Sequence, residues 1–350
     1  MTPPAPTVSV VMAAYNGAGL IGETLASLAA QTFGDFELIV VDDCSTDDTR
    51  AVIAGWDDPR LRLIESAHNG GPVRARNRAF AQARGRYVAG LDQDDLCTPD
   101  RFARQVAFLD ANPDVVLVGA NAHYLDGARQ SASAYAPLTT PTLVEWLLHV
   151  ENPLVWSSVM LRTDAARTLD PFTRPDILYA EDFDLYHRMA RMGRIARLDD
   201  ELILYRRHAG GASHRYTATM EDSAALVLAG AYAPFFGEGA VEAASLVVRH
   251  VMGRTAPPDR ATLEAIGDIL VRLQDLFLQR HPCDEPCLRL IRWETARRWA
   301  GVVRSGLRSG TITLFDVVAA RRDHLGLGHA GIEELAWSRA IGKTRGLIGR

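Results

Sequence analysis

The residues best suited to chemistry in this sequence lie in two acidic segments that are far apart along the chain. The first, Asp92-Gln93-Asp94-Asp95, places three carboxylates within four residues. These charges repel one another unless water screens an exposed turn or a divalent cation binds, and the motif alone leaves both interpretations open. Mg²⁺ and Mn²⁺ prefer oxygen ligands and commonly share their shell with diphosphate oxygens. The second segment is Glu181-Asp182, a pair of adjacent carboxylates.

Short apolar runs alternate with helical patterns around these acids. Residues 8–13 and 38–41 are nearly continuous apolar runs, which are typical of strands covered on both faces of a parallel sheet. Repeated β-α-β units of this kind predict an α/β sheet with right-handed crossovers. The carboxyl ends of parallel strands meet at one edge, where ligands of such sheets bind. We therefore expect Asp42, Asp43 and Asp92 at that edge.

Other elements are predicted from the same signals. Ser45 and Asp48 have the spacing of a capping box, which predicts that a helix begins there. Further strands are predicted at residues 61–64, 87–91, 115–118, 156–161 and 202–205, and further helices near residues 72, 98 and 181.

The composition is that of an ordinary globular protein, with 350 residues, 47% hydrophobic residues and 23% charged residues. A net charge of −5 argues against nucleic-acid binding, which depends on clustered Lys and Arg. The four cysteines form no CxxC pair and are predicted to be reduced thiols. No basic leader and no apolar run of about 18 residues is evident, so we expect a cytoplasmic protein.

A change of texture near Tyr216 predicts two domains, an α/β domain over residues 1–216 and a mostly helical domain over 217–350. Within the second, residues 289–308 combine two tryptophans and several leucines and valines with six arginines. Two interpretations stay open for this helix. It lies in an anionic membrane surface, giving a peripheral contact at the inner face of the cytoplasmic membrane, or it packs on its own domain with solvated arginines.

A GxGxxG pattern, Gly17 to Gly22, follows the first strand and precedes the acid Asp42 by about 20 residues, as in a dinucleotide-binding fold. Tyr15 and Asn16 intervene between the strand and the first glycine, whereas that glycine should make the tight turn itself. An NAD-dependent oxidoreductase therefore remains only as an alternative, and the glycines are better explained as residues that ease a turn.

Taken in order, several segments resemble the family 2 inverting glycosyltransferases of the GT-A fold. The resemblance covers residues 6–215 and leaves the helical tail outside. Its segments are Val8 to Gly17, Gln31-Thr32-Phe33, Glu37 to Asp47, Ala75-Arg76-Asn77, Leu91 to Asp95 and Ala180-Glu181-Asp182. The fold implied is a Rossmann-like nucleotide-diphospho-sugar transferase domain followed by a helical domain.

The resemblance also implies a role for individual residues. The donor, a UDP-sugar by preference, would meet Tyr15 at its base, Asp43 at a uracil-type imide and Asp92 near the ribose, with Arg76 approaching the nucleotide. Mn²⁺ or Mg²⁺ would be held by Asp94, and His208 resembles a late histidine that approaches the metal or diphosphate, although an ordinary loop histidine is the alternative. Asp182 would be the catalytic base and Glu181 a supporting acceptor contact. The remaining residues implied in donor binding are Ala14, Asn16 and Gln93.

The implied reaction transfers a sugar to a hydroxyl of a glycan or lipid-linked acceptor. Because Asp182 would lie at a helix N-terminus, we expect the helix dipole to keep its carboxylate ionised. The alternative outside catalysis is a degenerate glycosyltransferase that binds nucleotide sugars and serves as an assembly partner. A pure scaffold has no need to keep the acidic loop, the Glu181-Asp182 pair and His208 together.

Overall fold

The computed structural model describes residues 4–127, 129–132, 136, 138–208, 210–211, 215–322, 325 and 335–341. The chain divides into two units. Residues 1–144 and 152–220 form an α/β unit, and residues 145–151 and 221–350 form a helical unit. The short segment 145–151 thus packs with the helical unit although it lies within the α/β sequence, and nothing in the sequence indicated this.

A mixed sheet forms the centre of the α/β unit, with the order β3-β2-β1-β4-β8-β6-β9-β5 and β7 paired to β6. The first four strands in this order are parallel, β8 is antiparallel to both of its neighbours, and β6 and β9 are parallel to each other. The strands are β1 (Val8–Ala14), β2 (Phe36–Asp42), β3 (Leu61–Glu65), β4 (Tyr87–Gly90), β5 (Leu96–Cys97), β6 (Val115–Asp126), β7 (Arg129–Ala132), β8 (Met160–Arg162) and β9 (Arg194–Arg206). The predicted α/β fold is confirmed.

Helices connect these strands and continue through the second unit. In and around the sheet they are α1 (Ile21–Ala29), α2 (Thr49–Ala54), α3 (Pro72–Ala81), α4 (Arg101–Ala111), α5 (Pro141–Leu147), α6 (Thr163–Ala166) and α7 (Glu181–Met189). The later helices are α8 (Thr217–Phe236), α9 (Ala240–Leu246), α10 (Arg260–Arg280), α11 (Glu285–Ser309) and α12 (Leu314–Ala320).

The two strands nearest the first acidic residues are buried along almost their whole length. Every residue of β2 is buried, and in β1 only Ala13 is less than fully covered. Val10, Leu25, Leu38 and Phe102 belong to one core cluster that joins the sheet to α1 and α4. This coverage explains why these strands appear in the sequence as continuous apolar runs rather than as alternating patterns.

Three local predictions were wrong, each because a polar side chain has another partner. The proposed capping box at Ser45 is absent, since α2 begins at Thr49 and the Ser45 hydroxyl accepts the Asn16 N–H at 3.0 Å. The strand predicted at 156–161 is a short 3-10 turn, Trp156–Ser158, followed by β8. The helix predicted near residue 98 begins at Arg101, because Thr98 instead bonds to Asp100 at 2.8 Å.

The helical unit changes two expectations about membranes. Among the described residues one helical stretch, Thr217–Met252, has the length and composition to cross a membrane, with a mean hydropathy of 1.4 and 28% of its apolar window buried. The expectation that no such stretch exists was therefore wrong. Its many alanines and interspersed glycines hide it in the sequence, where no long run of large apolar residues stands out.

The basic helix α11 buries most of the apolar side that a membrane would have to receive. Trp299, Val303 and Leu307 are at most 1% exposed, whereas Trp293 is 46% exposed. Arg298 is also buried and pairs with Glu294 of the same helix and with Glu151. This packing favours the interpretation of a helix that stabilises its own unit, and membrane contact through residues 289–308 lacks the apolar face that it needs.

The turn that begins α3 is held from the end of β2. Asp43 accepts the Gly70 N–H at 3.0 Å through Oδ1 and the Gly71 N–H at 2.7 Å through Oδ2. Gly71 adopts a φ of +85°, in the region that side chains with a Cβ disfavour. The turn therefore depends on glycine and on the carboxylate together.

Replacing Gly71 with alanine should destabilise the α/β unit, because the left-handed backbone costs a residue with a Cβ about 1–2 kcal/mol. Gly19→Ala is the matched control, since a Cβ there meets no atom within 4 Å and φ is not positive. Thermal unfolding should show a lower Tm for Gly71→Ala and little change for Gly19→Ala. Equal Tm values for the two variants would contradict the role given to this turn.

Candidate active site

Arg76 joins the two acidic segments through one buried guanidinium. Its Nη2 donates to Asp92 Oδ1 at 2.8 Å, and its Nη1 donates to Glu181 Oε1. The residue is 8% exposed, and its guanidinium carbon lies 5.0 Å from the centre of the Trp156 ring. Burial alone would lower the pKa of Arg76, but the charges of Asp92 and Glu181 outweigh burial and raise it. The arginine is thus a permanent cation between the two segments.

The acidic loop is fixed against the end of β1 by the amide of Gln93. The Gln93 Nε2 donates to the Tyr15 carbonyl at 3.0 Å, and the Gln93 Oε1 accepts the Tyr15 N–H at the same distance. The hydroxyl of Thr24 donates to the Gln93 carbonyl at 2.8 Å. On the other side, the Asp92 N–H donates to the Ser157 hydroxyl at 3.0 Å. These hydrogen bonds therefore hold the acidic loop in a fixed position relative to Tyr15.

Asp94 and His208, which are distant in sequence, are in direct contact. Asp94 Oδ2 lies 2.8 Å from His208 Nε2. Burial and the nearby charge of Asp92 raise the pKa of Asp94, and the contact with His208 only partly opposes this. Burial and the charges of Asp94 and Asp92 raise the pKa of Asp95 well above its usual range. The loop thus carries more negative charge than its neighbours neutralise.

Asp94 and His208 fit a divalent cation that takes its other ligands from a substrate. Among the described residues no group of three or more His, Cys, Asp and Glu side chains could hold a metal by itself. One carboxylate and one imidazole leave most of a six-coordinate shell open for water or diphosphate oxygens, as is common for Mg²⁺ and Mn²⁺. The Asp94 side chain is only 23% exposed and lies near the charge of Asp92, so a positive charge beside it would be stabilising.

Asp182 occupies the first turn of α7, with hydrogen bonds to both of its oxygens. Oδ1 accepts the Phe183 N–H at 2.7 Å, and Oδ2 accepts the Asn152 side-chain N–H at 3.1 Å. Burial and the charge of Glu181 raise the pKa of Asp182 to about 7, despite Arg76 and these two hydrogen bonds. The expectation that the helix dipole keeps Asp182 fully ionised was wrong, because desolvation and a like charge outweigh the helix N-terminus here.

The residues predicted to meet the nucleotide lie along the ends of β1 and β2. Tyr15 is 44% exposed. Asn16, at a φ of +48°, accepts the Thr46 N–H at 2.8 Å, and the Ala14 carbonyl accepts the Asp43 N–H at 2.8 Å. The Asp43 carboxylate already accepts the Gly70 and Gly71 N–H groups, so recognition of a base by Asp43 would have to share these oxygens. That role stays a prediction.

The structure brings most of the predicted residues into contacting groups. Arg76 contacts Asp92 and Glu181, Asp94 contacts His208, Gln93 contacts Tyr15, and Ala14 contacts Asp43.

The sequence-based prediction missed three residues that support these groups. Asn152 orients Asp182, Ser157 holds Asp92, and Arg206 donates its N–H to Asp95 Oδ1 at 2.8 Å and its Nε–H to the Asp94 carbonyl at 2.9 Å. Only Arg206 had a signal, because it follows a predicted strand close to His208. The other two lie in an irregular segment.

The glycines of the GxGxxG pattern do not have the packing that a dinucleotide fold requires. A Cβ added at Gly19 or Gly22 would meet no atom within 4 Å, so neither position needs glycine for close approach. At Gly17 an added Cβ would lie 2.3 Å from Gln93 Oε1. Gly17, the first glycine of the pattern, therefore leaves space for the Gln93 amide that fixes the acidic loop.

The α/β unit, with its acidic loop at the carboxyl edge and a helical region after it, defines a GT-A fold. S. aureus TarS, in a crystal structure of residues 1–349 in complex with UDP, has the same fold, with a TM-score of 0.54 and 19% identity over 86% of this chain and 90% of that chain.

The family model described as glycosyl transferase family 2 matches residues 9–169. The putative glycosyltransferase EpsE of Bacillus subtilis is 30% identical over 236 residues, which cover 63% of this chain and 81% of EpsE. The chain therefore belongs to glycosyl transferase family 2.

Other relatives match over shorter stretches. The succinoglycan biosynthesis protein ExoO of Rhizobium meliloti is 47% identical over 115 residues, 32% of this chain and 33% of ExoO. WfgD of Escherichia coli, a UDP-Glc:alpha-D-GlcNAc-diphosphoundecaprenol beta-1,3-glucosyltransferase, is 34% identical over 102 residues, 29% of this chain and 40% of WfgD. The match thus spans well under half of each of these two proteins.

Replacing Arg76 with methionine should lower the free energy of unfolding by about 3–5 kcal/mol near pH 8, because Glu181 and Asp92 lose their buried partner. Without that partner two carboxylates are left unpaired in a poorly solvated site. The deficit should shrink as the pH falls, because protonation of an unpaired carboxylate removes the charge that is costly to bury.

Arg62→Met is the control, since Arg62 is 41% exposed in its side chain and pairs with Glu37 at 3.6 Å. Denaturant unfolding at pH 8 and pH 5 measures both variants, and the control should lose at most about 1 kcal/mol. A deficit for Arg76→Met that does not depend on pH would contradict the account of Arg76.

Proposed function

We propose that the protein is an inverting glycosyltransferase that moves a sugar from a UDP-sugar to a hydroxyl of a glycan or lipid-linked acceptor. The observation that carries this proposal is the pairing of Asp92 and Glu181 by Arg76, which sets a metal-suited carboxylate, Asp94, and a candidate base, Asp182, on one scaffold. Family membership supports the reaction class. The contacts within the site support the separate roles that we propose for Asp94 and Asp182.

The donor would bind along the ends of β1 and β2. Tyr15 offers an exposed ring to the base, and the Gln93 amide keeps Tyr15 and the acidic loop in fixed relation. UDP is the first nucleotide to consider, because the TarS structure was solved with UDP and WfgD is named for UDP-Glc. Asp92, paired with Arg76, would lie near the ribose.

Transfer requires that the acceptor hydroxyl lose its proton as its oxygen attacks the anomeric carbon and the bond to the diphosphate breaks. Asp182 would take this proton, and a base within hydrogen-bond reach contributes about 10²–10⁴ in rate. Its pKa of about 7 lies close to neutral pH, where a general base is most effective. Asn152 and the Phe183 N–H hold the carboxylate in one orientation. A single displacement of this kind inverts the anomeric centre.

Asp94 and His208 would hold Mn²⁺ or Mg²⁺. The bound ion would supply Lewis-acid stabilisation, worth several kcal/mol, for the charge that develops on the leaving nucleoside diphosphate. Arg76, whose cation lies against Asp92, keeps the neighbouring carboxylates in place.

For the acceptor, WfgD is named for a GlcNAc-diphosphoundecaprenol substrate, and ExoO and other relatives are named for polysaccharide biosynthesis. A lipid-diphosphate-linked sugar is therefore the acceptor class that we propose. A cytoplasmic location, on or near the membrane that carries such lipids, agrees with this acceptor.

Calorimetric titration of UDP with and without Mn²⁺ tests the donor and metal assignments together. UDP should bind more tightly in the presence of Mn²⁺, and Asp94→Ala should remove this gain. Asp100→Ala, which alters a solvent-exposed carboxylate immediately before α4, is the control and should keep this gain. UDP binding that needs no metal and is unchanged in Asp94→Ala would overturn the metal assignment, and tighter binding of NADH than of UDP would revive the dinucleotide alternative.

Asp182→Asn should lower kcat by at least about 10²-fold, because the amide cannot accept the acceptor proton. UDP binding should remain nearly intact, since the hydrogen bonds described for Asp182 go to Asn152 and Phe183, which are not assigned to the donor. UDP release from a UDP-sugar gives the rate, and calorimetry gives the affinity. Turnover that persists in Asp182→Asn would show that another group is the base, and an inactive wild-type protein that still binds UDP would favour the degenerate assembly partner.

The pH dependence of kcat/KM should show an acidic limb near pH 7, because Asp182 must be deprotonated to act as a base. Glu181→Gln removes a like charge that raises this pKa and frees Arg76 to act on Asp182. The acidic limb should therefore move to lower pH, by about one unit. If the acidic limb does not move in Glu181→Gln, the group that titrates in kcat/KM is not Asp182.

A further inference from the structure

Two exposed aromatic side chains stand out in the α/β unit. Among its described residues, Tyr15 and Tyr216 are the aromatic side chains that are largely exposed, at 44% and 39%. Tyr15 belongs to the donor edge described above. Tyr216 has no place in that description, and it lies outside the segments that resemble the family.

Tyr216 is one half of a parallel stack. Its ring centre lies 4.3 Å from that of Tyr179, and the ring planes differ by 6°. Burial, a hydrogen bond with Tyr216 and the charge of Glu181 raise the pKa of Tyr179 to about 12, so the Tyr179 phenol stays protonated at physiological pH. The stack fixes the Tyr216 ring in one plane while leaving it accessible to solvent.

The backbone at Tyr179 is held in an unfavourable conformation. Its φ is +62°, in the region that residues with a Cβ disfavour. Four described residues other than glycine have a positive φ, and two more of them, Asn16 and Cys44, lie at or beside residues assigned to the donor. Tyr179 precedes Glu181 by two positions, and its phenol lies close enough to Glu181 for the charge of that carboxylate to raise the phenol pKa. Such backbone strain is concentrated at functional sites.

We propose that the Tyr179–Tyr216 stack is a subsite for a pyranose ring of the acceptor, with the exposed part of the Tyr216 ring against the C–H face of the sugar. A flat aromatic surface suits a pyranose, because one face of the ring presents mainly C–H groups while its hydroxyls point outward. Arg215, whose guanidinium carbon lies 5.7 Å from the Tyr216 ring centre, is exposed and can donate to those hydroxyls.

The position of the Tyr179–Tyr216 stack favours a role in binding the acceptor rather than the donor. The donor residues Tyr15, Gln93 and Asp94 are joined to one another and to the acidic loop. Tyr179 is instead continuous in sequence with Asp182, the group that must reach the acceptor hydroxyl. This inference rests on the proposed function, since it assigns a binding site to the acceptor, the second substrate of the same reaction.

NMR of the protein with ¹³C-labelled tyrosine, titrated with methyl α-N-acetylglucosaminide, tests the subsite directly. The titration is run with and without UDP and Mn²⁺, and UDP affinity is measured separately by calorimetry. In the wild-type protein the Tyr216 ring signals should shift on addition of the glycoside. Tyr216→Ala should raise the glycoside Kd about tenfold, because the stacking face is lost, and should leave UDP affinity within about twofold.

Tyr216→Phe is the matched control, because it keeps the ring and removes only the hydroxyl. It should keep glycoside affinity within about threefold of wild type, and Tyr15→Ala should weaken UDP instead. Glycoside binding that leaves the Tyr216 signals unmoved, or that survives Tyr216→Ala, overturns the subsite. The same holds if millimolar glycoside fails to bind while UDP binds normally. Failure of UDP to bind would instead count against the proposed donor, and the Tyr216 shifts would still decide the subsite.

Discussion

The site depends on one buried cation placed between carboxylates from distant parts of the chain. Arg76 lies on α3, Asp92 follows β4, and Glu181 begins α7, so none of these elements can shift without leaving a charge unpaired. A guanidinium is suited to this position, because it stays protonated when buried and offers separate N–H groups to two partners. The turn at Gly70–Gly71, held by Asp43, sets the start of the helix that carries it.

Around this cation the carboxylates outnumber the positive charges, and their properties follow from that excess. Asp94 and Asp95 lie close to Asp92 in a poorly solvated loop, so burial and mutual repulsion raise the pKa of both. Asp182 is affected in the same way by burial and by Glu181. The two ends of the site differ in the role that we propose for each. At Asp94, with His208 as a second ligand, a bound divalent cation would relieve the excess, whereas at Asp182 a proton would, as the proposed role of general base requires.

Much of this could be predicted from the sequence, because the parallel strands and the acids at their ends are local features. The apolar runs of β1 and β2 and the positions of Asp42, Asp43 and Asp92 follow from period and order alone. The α/β fold and the family were confirmed. The roles of Asp94, His208 and Asp182 remain predictions that the geometry supports.

What the sequence did not show depends on contacts between distant residues. Asn152 and Ser157 lie in an irregular stretch, and only the folded chain sets them beside Asp182 and Asp92. The raised pKa of Asp182 was missed for the same reason, since the helix N-terminus is visible in the sequence and the desolvation is not. The prediction of a strand at 156–161 was wrong, because its serines hydrogen-bond to loop residues, as Ser157 does to Asp92, rather than pairing with a neighbouring strand. In α11 the amphipathic pattern was real, but its apolar side packs on its own unit.

A double-mutant cycle on the free energy of unfolding tests the central claim, that Arg76 couples the acidic loop to the Glu181-Asp182 pair. The two substitutions are Asp92→Asn and Glu181→Gln, and the reference pair is Asp92→Asn with Asp268→Asn, whose carboxylates pair with different arginines, Arg76 and Arg322. Either carboxylate alone still pairs with the guanidinium, but removing both leaves the buried cation without a hydrogen-bonded carboxylate. The account predicts that the double variant loses at least about 1 kcal/mol more than the sum of the single variants, while the reference pair is additive. Additivity between Asp92 and Glu181 would contradict it.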